Sequence, residues 1–105
     1  VGGIRVGPKE NYSYQAAKAG LHHLTASLAK NLAAEHVTVN AIAPGFFLSK
    51  ITQIPDEKMP AVRDSVPRRR LGKASDVVGA VVYFASSAGS FVTGSVLPVA
   101  GGMTL

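Results

Sequence analysis

The 105-residue chain contains no cysteine. That excludes a disulfide framework and any thiolate-ligated metal site, and it is compatible with a reducing, cytoplasmic setting. No apolar run reaches the roughly 18 to 20 residues that span a bilayer. The opening VGGIRVG carries no secretory pattern, and no membrane role is expected. Acidic residues are scarce, six against eleven Lys and Arg, so the net charge is +5. Such a balance suits nucleic acid or acidic ligands. Outside Arg68, Arg69 and Arg70, however, the positive charges are scattered, and no aromatic residue interleaves the run. A solvated loop is expected there, not a nucleic-acid surface. His22 and His23 are adjacent, point to different helix faces and lack the i, i+4 spacing of helical metal ligands, so no metal site is expected. There is no internal repeat and no low-complexity segment.

What the chain does have is enough apolar content, 47% against 16% charged, for a buried core in one small domain. Residues 1–11 are rich in Gly and Pro and read as a strand end followed by a loop. From about Tyr12 to Glu35 the pattern is helical, with Leu21, Leu24, Leu28 and Leu32 forming an apolar stripe and alanines allowing close approach on other sides. Such a helix is either sandwiched inside a domain or used in subunit contact. VTVNAIA, residues 37–43, reads as a strand covered on both faces and stopped by Pro44 and Gly45. Asn40 inside it is expected to make a structural hydrogen bond.

Residues 46–70 carry Pro55, Pro60 and Pro67 and form a long, partly helical connection of the kind that serves as a lid or binding segment. Its apolar start, Phe46, Phe47, Leu48, Ile51 and Ile54, either packs under the loop or lines a substrate pocket. A second helix follows, with Ser75 as its expected N-cap, Asp76 in its first turn and Val77, Val81 and Phe84 on one face. Arg70 and Asp76 are expected to fix the loop-to-helix joint. SVLPVAGG then reads as a closing strand, near whose end or edge Pro98 must lie because it cannot donate to a ladder.

Buried strands linked by helices define an α/β fold with a parallel sheet. Two such strands cannot bury both faces alone, which makes residues 1–105 read as the C-terminal portion of one larger doubly wound domain.

Within that frame, Tyr14 and Lys18 stand four residues apart and share a helix face, with Cβ atoms about 5 to 6 Å apart. A free phenol ionises near pH 10, too high for a good base at neutrality. An ammonium on the same face favours the phenolate by Coulomb attraction, and its three N–H donors can also reach ligand oxygens. The pair alone is a weak signal. Its company is stronger: VNAIAPG at 39–45, RLGKASDV at 70–77 and TGSVLPVAGG at 93–102.

Taken together these segments resemble the C-terminal half of the short-chain dehydrogenase/reductase family, and most of all its 3-oxoacyl-carrier-protein reductase members, over essentially all 105 residues. The resemblance implies a three-layer Rossmann-type α/β sheet, incomplete here, and an NAD- or NADP-dependent oxidoreductase. It assigns Tyr14 as the catalytic acid/base. It assigns Lys18 to activation of the tyrosine and to the nicotinamide ribose. It places Pro44, Gly45, Phe47 and Ser49 beside the cofactor, Phe47 through its backbone and Ser49 through its hydroxyl.

The family's carbonyl-polarising serine and its glycine-rich pyrophosphate turn fall upstream of Val1. Ala100 stands where the family's terminal motif usually has a polar residue. The parent enzyme is expected to act on a ketone or secondary alcohol of 3-oxoacyl type and to be a homo-oligomer, while the 105 residues alone are expected to be inactive. The rival reading is a truncated, inactive interaction protein that keeps the oligomer interface.

Overall fold

The computed structural model describes residue 4 and residues 11–50 and 53–105. The expected strand-and-loop entry, apart from Ile4 and Asn11, and the expected role of Ile51 lie outside the described residues. Helix α1 spans Tyr12–Leu32 and tightens into a 3-10 turn at Ala33–Glu35. Strand β1 is Ala41–Pro44, helix α2 is Met59–Ser65, helix α3 is Ala74–Ala85 and strand β2 is Val96–Val99. The two strands pair in parallel, Ala41 opposite Val96 through Pro44 opposite Val99. The result is a β-α-α-β unit with α1 leading into it, an α/β fold as the sequence indicates. Pro98 is the penultimate residue of β2, where a missing N–H costs the ladder least.

Helix α1 does not pack through Leu21, Leu24 and Leu28. The residues withdrawn from solvent are Gln15, Lys18, His22, Thr25, Ala29 and Leu32, spaced by alternating steps of three and four along one face. Thr25 and Ala29 are the deepest, 6% and 3% exposed, whereas Leu24 is 50% exposed and Leu21 and Leu28 lie out beside it. At Ala29 a small residue faces inward because another segment comes close. Gly94, at φ 76°, leaves a position where an added Cβ would stand 3.4 Å from the Ala29 methyl. The Thr25 hydroxyl, buried on this face, donates to the Leu21 carbonyl at 2.8 Å and so is satisfied within the helix. Of the expected leucine stripe, Leu21, Leu24 and Leu28 turn outward and only Leu32 lies on the inward face.

The strand expected over 37–43 forms its ladder only from Ala41. Residues 39 and 40 are held instead by side chains and by the turn before β2. Val39 N–H donates to the Thr93 hydroxyl at 3.0 Å, and its carbonyl accepts from Gly94 N–H at 2.7 Å. The Asn40 amide donates to the Val92 carbonyl at 2.9 Å and accepts from Ser95 N–H at 3.0 Å. Asn40 thus does the structural work expected of it. It ties the VNA segment to the TGS segment more than fifty residues later and sets the register that β1 and β2 continue.

Helix α3 starts one residue before its expected cap. Its N-cap is Lys73, not Ser75, and Asp76 at the third helical position accepts the Lys73 N–H at 2.9 Å. A carboxylate in that position satisfies an otherwise unpaired donor and complements the helix dipole, which relieves the cap residue itself of the task. Val77, Ala80 and Phe84 turn inward. Val81, expected to share that face, sits at its margin and stays half exposed beside Ile42 and Phe84.

The Cα radius of gyration is 15.5 Å and the molecule measures 51 × 31 × 25 Å. A closely packed chain of about 100 residues has a radius near 13 Å. The excess length comes with open apolar faces on α1 and α3, where Val78 and Val82 are exposed too. Among the described residues no helix is long and apolar enough to cross a membrane.

Candidate active site

Tyr14 and Lys18 lie in the first two turns of α1, and the Lys18 ammonium sits over the Tyr14 ring, 5.5 Å from its centroid. The expectation that the two share a face holds. Lys18 belongs to the inward stripe, while Tyr14, one turn nearer the helix start, remains half exposed and open to a ligand. An ammonium over the ring is attracted by the ring itself and stabilises negative charge on the phenol oxygen. Just ahead of the pair, the Gln15 amide donates to the Asn11 side chain at 3.0 Å and Gln15 N–H donates to the Asn11 carbonyl at 3.1 Å, which fixes the first turn.

A second group forms where the strands end. Pro44 closes β1, and Gly45 N–H donates to the Val99 carbonyl at 3.1 Å. A Cβ on Gly45 would lie 2.8 Å from the Ala100 Cα, so only glycine fits between the two strand ends. Ala100 is buried in that contact, and a bare methyl suits the close approach. Phe47 then forms a parallel bridge to Gly72. Gly72 N–H donates to the Phe46 carbonyl at 2.8 Å, and Leu48 N–H donates to the Gly72 carbonyl at 3.3 Å.

In a parallel bridge the flanking residues face the partner, so the Phe47 N–H and C=O point away from Gly72. The Phe47 N–H meets no acceptor among the described residues. The Phe47 ring itself lies against Gly72, in the space a side chain there would need. Ser49 follows two residues on, at the surface. Of the apolar loop start, Phe46 and Leu48 are exposed and Phe47 and Ile54 are half-buried.

Behind this group the chain is braced by the joint foreseen from the sequence. Arg70 grips the Asp76 carboxylate with two nitrogens at 2.7 and 2.9 Å and also donates to the Leu71 carbonyl at 3.1 Å. These hydrogen bonds from Arg70, with the Lys73 N–H, hold the Asp76 carboxyl well below the usual carboxylate range. The group is ionised more easily folded than unfolded. Its stabilisation is therefore whole above about pH 4, where an unfolded Asp is ionised, and fades as pH falls toward the depressed folded value. Thermal unfolding of Asp76→Asn should accordingly start from a lower midpoint at pH 7 and converge on the parent in strong acid. A constant gap across that range would contradict the assignment.

The three arginines divide. Arg69 pairs with Asp64 at 3.2 Å, Arg70 with Asp76, and Arg68 anchors through its N–H to the Gly101 carbonyl at 3.1 Å. Phe46, Phe47, Val66, Arg68 and the 97–101 segment line a cleft of about 240 Å³ at these strand ends. Arg68 and Arg70 both border this cleft, with Asp76 of α3 beside them.

The structure thus assembles two groups, Tyr14 with Lys18, and Pro44, Gly45 and Phe47 with Gly72 and Ala100. No hydrogen bond, ion pair or ring contact joins Tyr14 or Lys18 to the strand-end residues among those described. Among the described residues no three His, Cys, Asp or Glu side chains cluster as metal ligands. Sequence reasoning missed the Gly45–Ala100 and Phe47–Gly72 contacts. The glycines in PG and RLG were the available signal, because a glycine beside a large neighbour marks a close approach as well as a turn.

The family model described as enoyl-(acyl carrier protein) reductase matches residues 1–104. Nodulation protein G of Azospirillum brasilense is 43% identical over 104 residues, which cover 98% of this chain and 42% of that protein. The rhamnolipids biosynthesis 3-oxoacyl-[acyl-carrier-protein] reductase of Pseudomonas aeruginosa is 38% identical over all of this chain and 42% of its own length. The chain belongs to the short-chain dehydrogenase/reductase family. A solved member of that family, the Pseudomonas aeruginosa RhlG/NADP active-site complex, superposes with a TM-score of 0.91 at 36% identity, over 99% of this chain and 43% of that one. The fold is accordingly part of the short-chain dehydrogenase/reductase Rossmann-type sheet. The chain spans about two fifths of the length of the curated relatives it matches.

Proposed function

We propose that residues 1–105 form the C-terminal, proton-transferring portion of an NAD- or NADP-dependent oxidoreductase that interconverts a ketone and a secondary alcohol, of 3-oxoacyl type. The observation that carries this reading is the Lys18 ammonium seated over the Tyr14 ring on α1. The residues at hand suit a nicotinamide cofactor. The unpaired Phe47 N–H at the strand ends fits a carboxamide oxygen, as expected where ligands approach an open α/β sheet, and Lys18 has donors for ribose hydroxyls. When bound, the nicotinamide supplies or accepts the hydride. Tyr14 gives its phenolic proton to the substrate oxygen in reduction and takes it back in oxidation. Lys18 offsets the charge left on the phenol, Ser49 offers a hydroxyl to the cofactor, and Pro44 and Gly45 keep the strand end flat enough for its approach. A cytoplasmic setting accords with the cysteine-free composition.

These 105 residues supply neither a carbonyl-polarising serine nor a pyrophosphate turn, and alone they should show no turnover. The test is a hybrid in which they replace the matching portion of the Pseudomonas aeruginosa rhamnolipid-synthesis relative. The hybrid should oxidise NADPH in the presence of a 3-oxoacyl thioester, and the isolated chain should not. A folded hybrid without turnover would overturn the reading.

A second reading rests on the outward stripe of Leu21, Leu24 and Leu28. It serves a homo-oligomer contact in the enzyme reading, and it would equally serve a catalytically silent chain that binds a full-length partner. An inactive hybrid whose oligomeric state responds to Leu24→Asp favours the second reading.

A further inference from the structure

Phe47 occupies a position where the proposed chemistry asks only for a backbone amide, yet its ring lies directly over Gly72. Its ring fills the space over Gly72 that any other residue's Cβ would take. The backbones of the two segments are bridged at the same point by the Gly72 N–H to Phe46 carbonyl and Leu48 N–H to Gly72 carbonyl bonds. Gly72 is in turn fixed from behind, since Leu71 is buried and Arg70 is clamped to Asp76 on α3. The ring therefore keys the 46–48 segment against the stretch that leads into α3. Because the bridge turns the Phe47 N–H away from Gly72, whatever holds the bridge also aims that amide and sets the path toward Ser49.

We propose that the Phe47 side chain is a positioning residue, whose fit against Gly72 aims the Phe47 amide and the Ser49 segment at the nicotinamide site. This rests on the cofactor reading above. Glycine at 72 and the aromatic ring at 47 are two halves of one fit, and a change in either is compensated by a matched change in the other.

The test is a reciprocal exchange in the hybrid enzyme. Gly72→Ala adds a methyl where the ring lies, and Phe47→Val in the same chain makes room for it. Hydrogen exchange of peptides spanning 46–50 and 70–73 reads the bridge directly, and NADPH dissociation constants read the aim of the amide. Gly72→Ala should speed exchange in both peptides and weaken NADPH by about tenfold each, or about 1.4 kcal/mol. The double variant should bring both back to within about threefold of the parent, since volume-conserving exchanges are tolerated best.

Damage from Gly72→Ala that Phe47→Val does not relieve would overturn the fit. Faster exchange with unchanged NADPH affinity would leave the ring a fold feature only and overturn the positioning role. If Gly72→Ala does not accumulate as folded protein, Phe47→Leu and Phe47→Ala carry the comparison, with exchange and NADPH affinity expected to worsen in that order. A parent hybrid that binds no NADPH would defeat the cofactor reading and the positioning role with it. The exchange arm would still report whether the ring and glycine interlock.

Discussion

Tyr14→Phe in the hybrid should lower turnover of a 3-oxoacyl thioester by about 10² to 10⁴, the range expected when a positioned general acid is removed. The substitution deletes one oxygen and keeps the ring. The Lys18 ammonium, 5.5 Å from the ring centroid, keeps its seat. NADPH affinity should therefore stay within about twofold of the parent, and the loss should fall on the rate of the bound complex. Lys18→Met should behave differently. It removes both the charge that offsets a developing phenolate and the donors offered to the ribose, so turnover and NADPH affinity should fall together. Steady-state kinetics with separately measured NADPH binding distinguishes the two patterns. A Tyr14→Phe variant within tenfold of the parent would remove the phenol from the chemistry.

The second large effect concerns Asn40. Asn40→Ala should destabilise the folded hybrid by about 2 kcal/mol, one net hydrogen bond for each of its two contacts plus part of the cost of the groups left without partners. The amide is used from both ends, its nitrogen on the Val92 carbonyl and its oxygen on the Ser95 N–H. Asn40→Asp keeps the acceptor and sets a carboxylate against the Val92 carbonyl, so it should be no milder than alanine at neutral pH. Denaturant midpoints at constant m value provide the measurement. If Asn40→Asp were as stable as the parent, the link between the VNA and TGS segments would lie in the backbone bonds alone.

These two predictions draw on different levels of legibility. Tyr14 and Lys18 were readable because a helix has a fixed period, and four residues place two side chains on one face whatever surrounds them. Arg70 and Asp76 were readable for a similar reason, since a carboxylate near a helix start and a guanidinium just before it have few better partners. The α/β class followed from the apolar strand segments and the helices between them.

The facing of α1 was not readable in the same way. Four leucines mark an apolar side, but the Gly94 turn comes close at Ala29, and Leu21, Leu24 and Leu28 turn out while Leu32 stays half-buried. Hydrophobicity along one helix does not reveal how near its neighbour's backbone lies. The Phe47–Gly72 contact was hidden for the same reason, because it joins residues 25 apart through a missing side chain. The displaced start of α3 is a smaller case. Ser75 has the right chemistry for a cap, but Asp76 bonded to the Lys73 N–H claims the position first.

The destination of the hydride decides whether Tyr14 serves carbonyl reduction. The hybrid, supplied with NADPH carrying deuterium at the transferred position of C4 and with a 3-oxoacyl thioester, should yield a 3-hydroxyacyl product with one deuterium on the carbinol carbon, and Tyr14→Phe should suppress that product. Mass spectrometry of the product reads the outcome. Recovery of the 3-oxoacyl thioester unchanged with the deuterium still on the cofactor, or an equal yield of labelled product from Tyr14→Phe, would contradict carbonyl reduction through Tyr14.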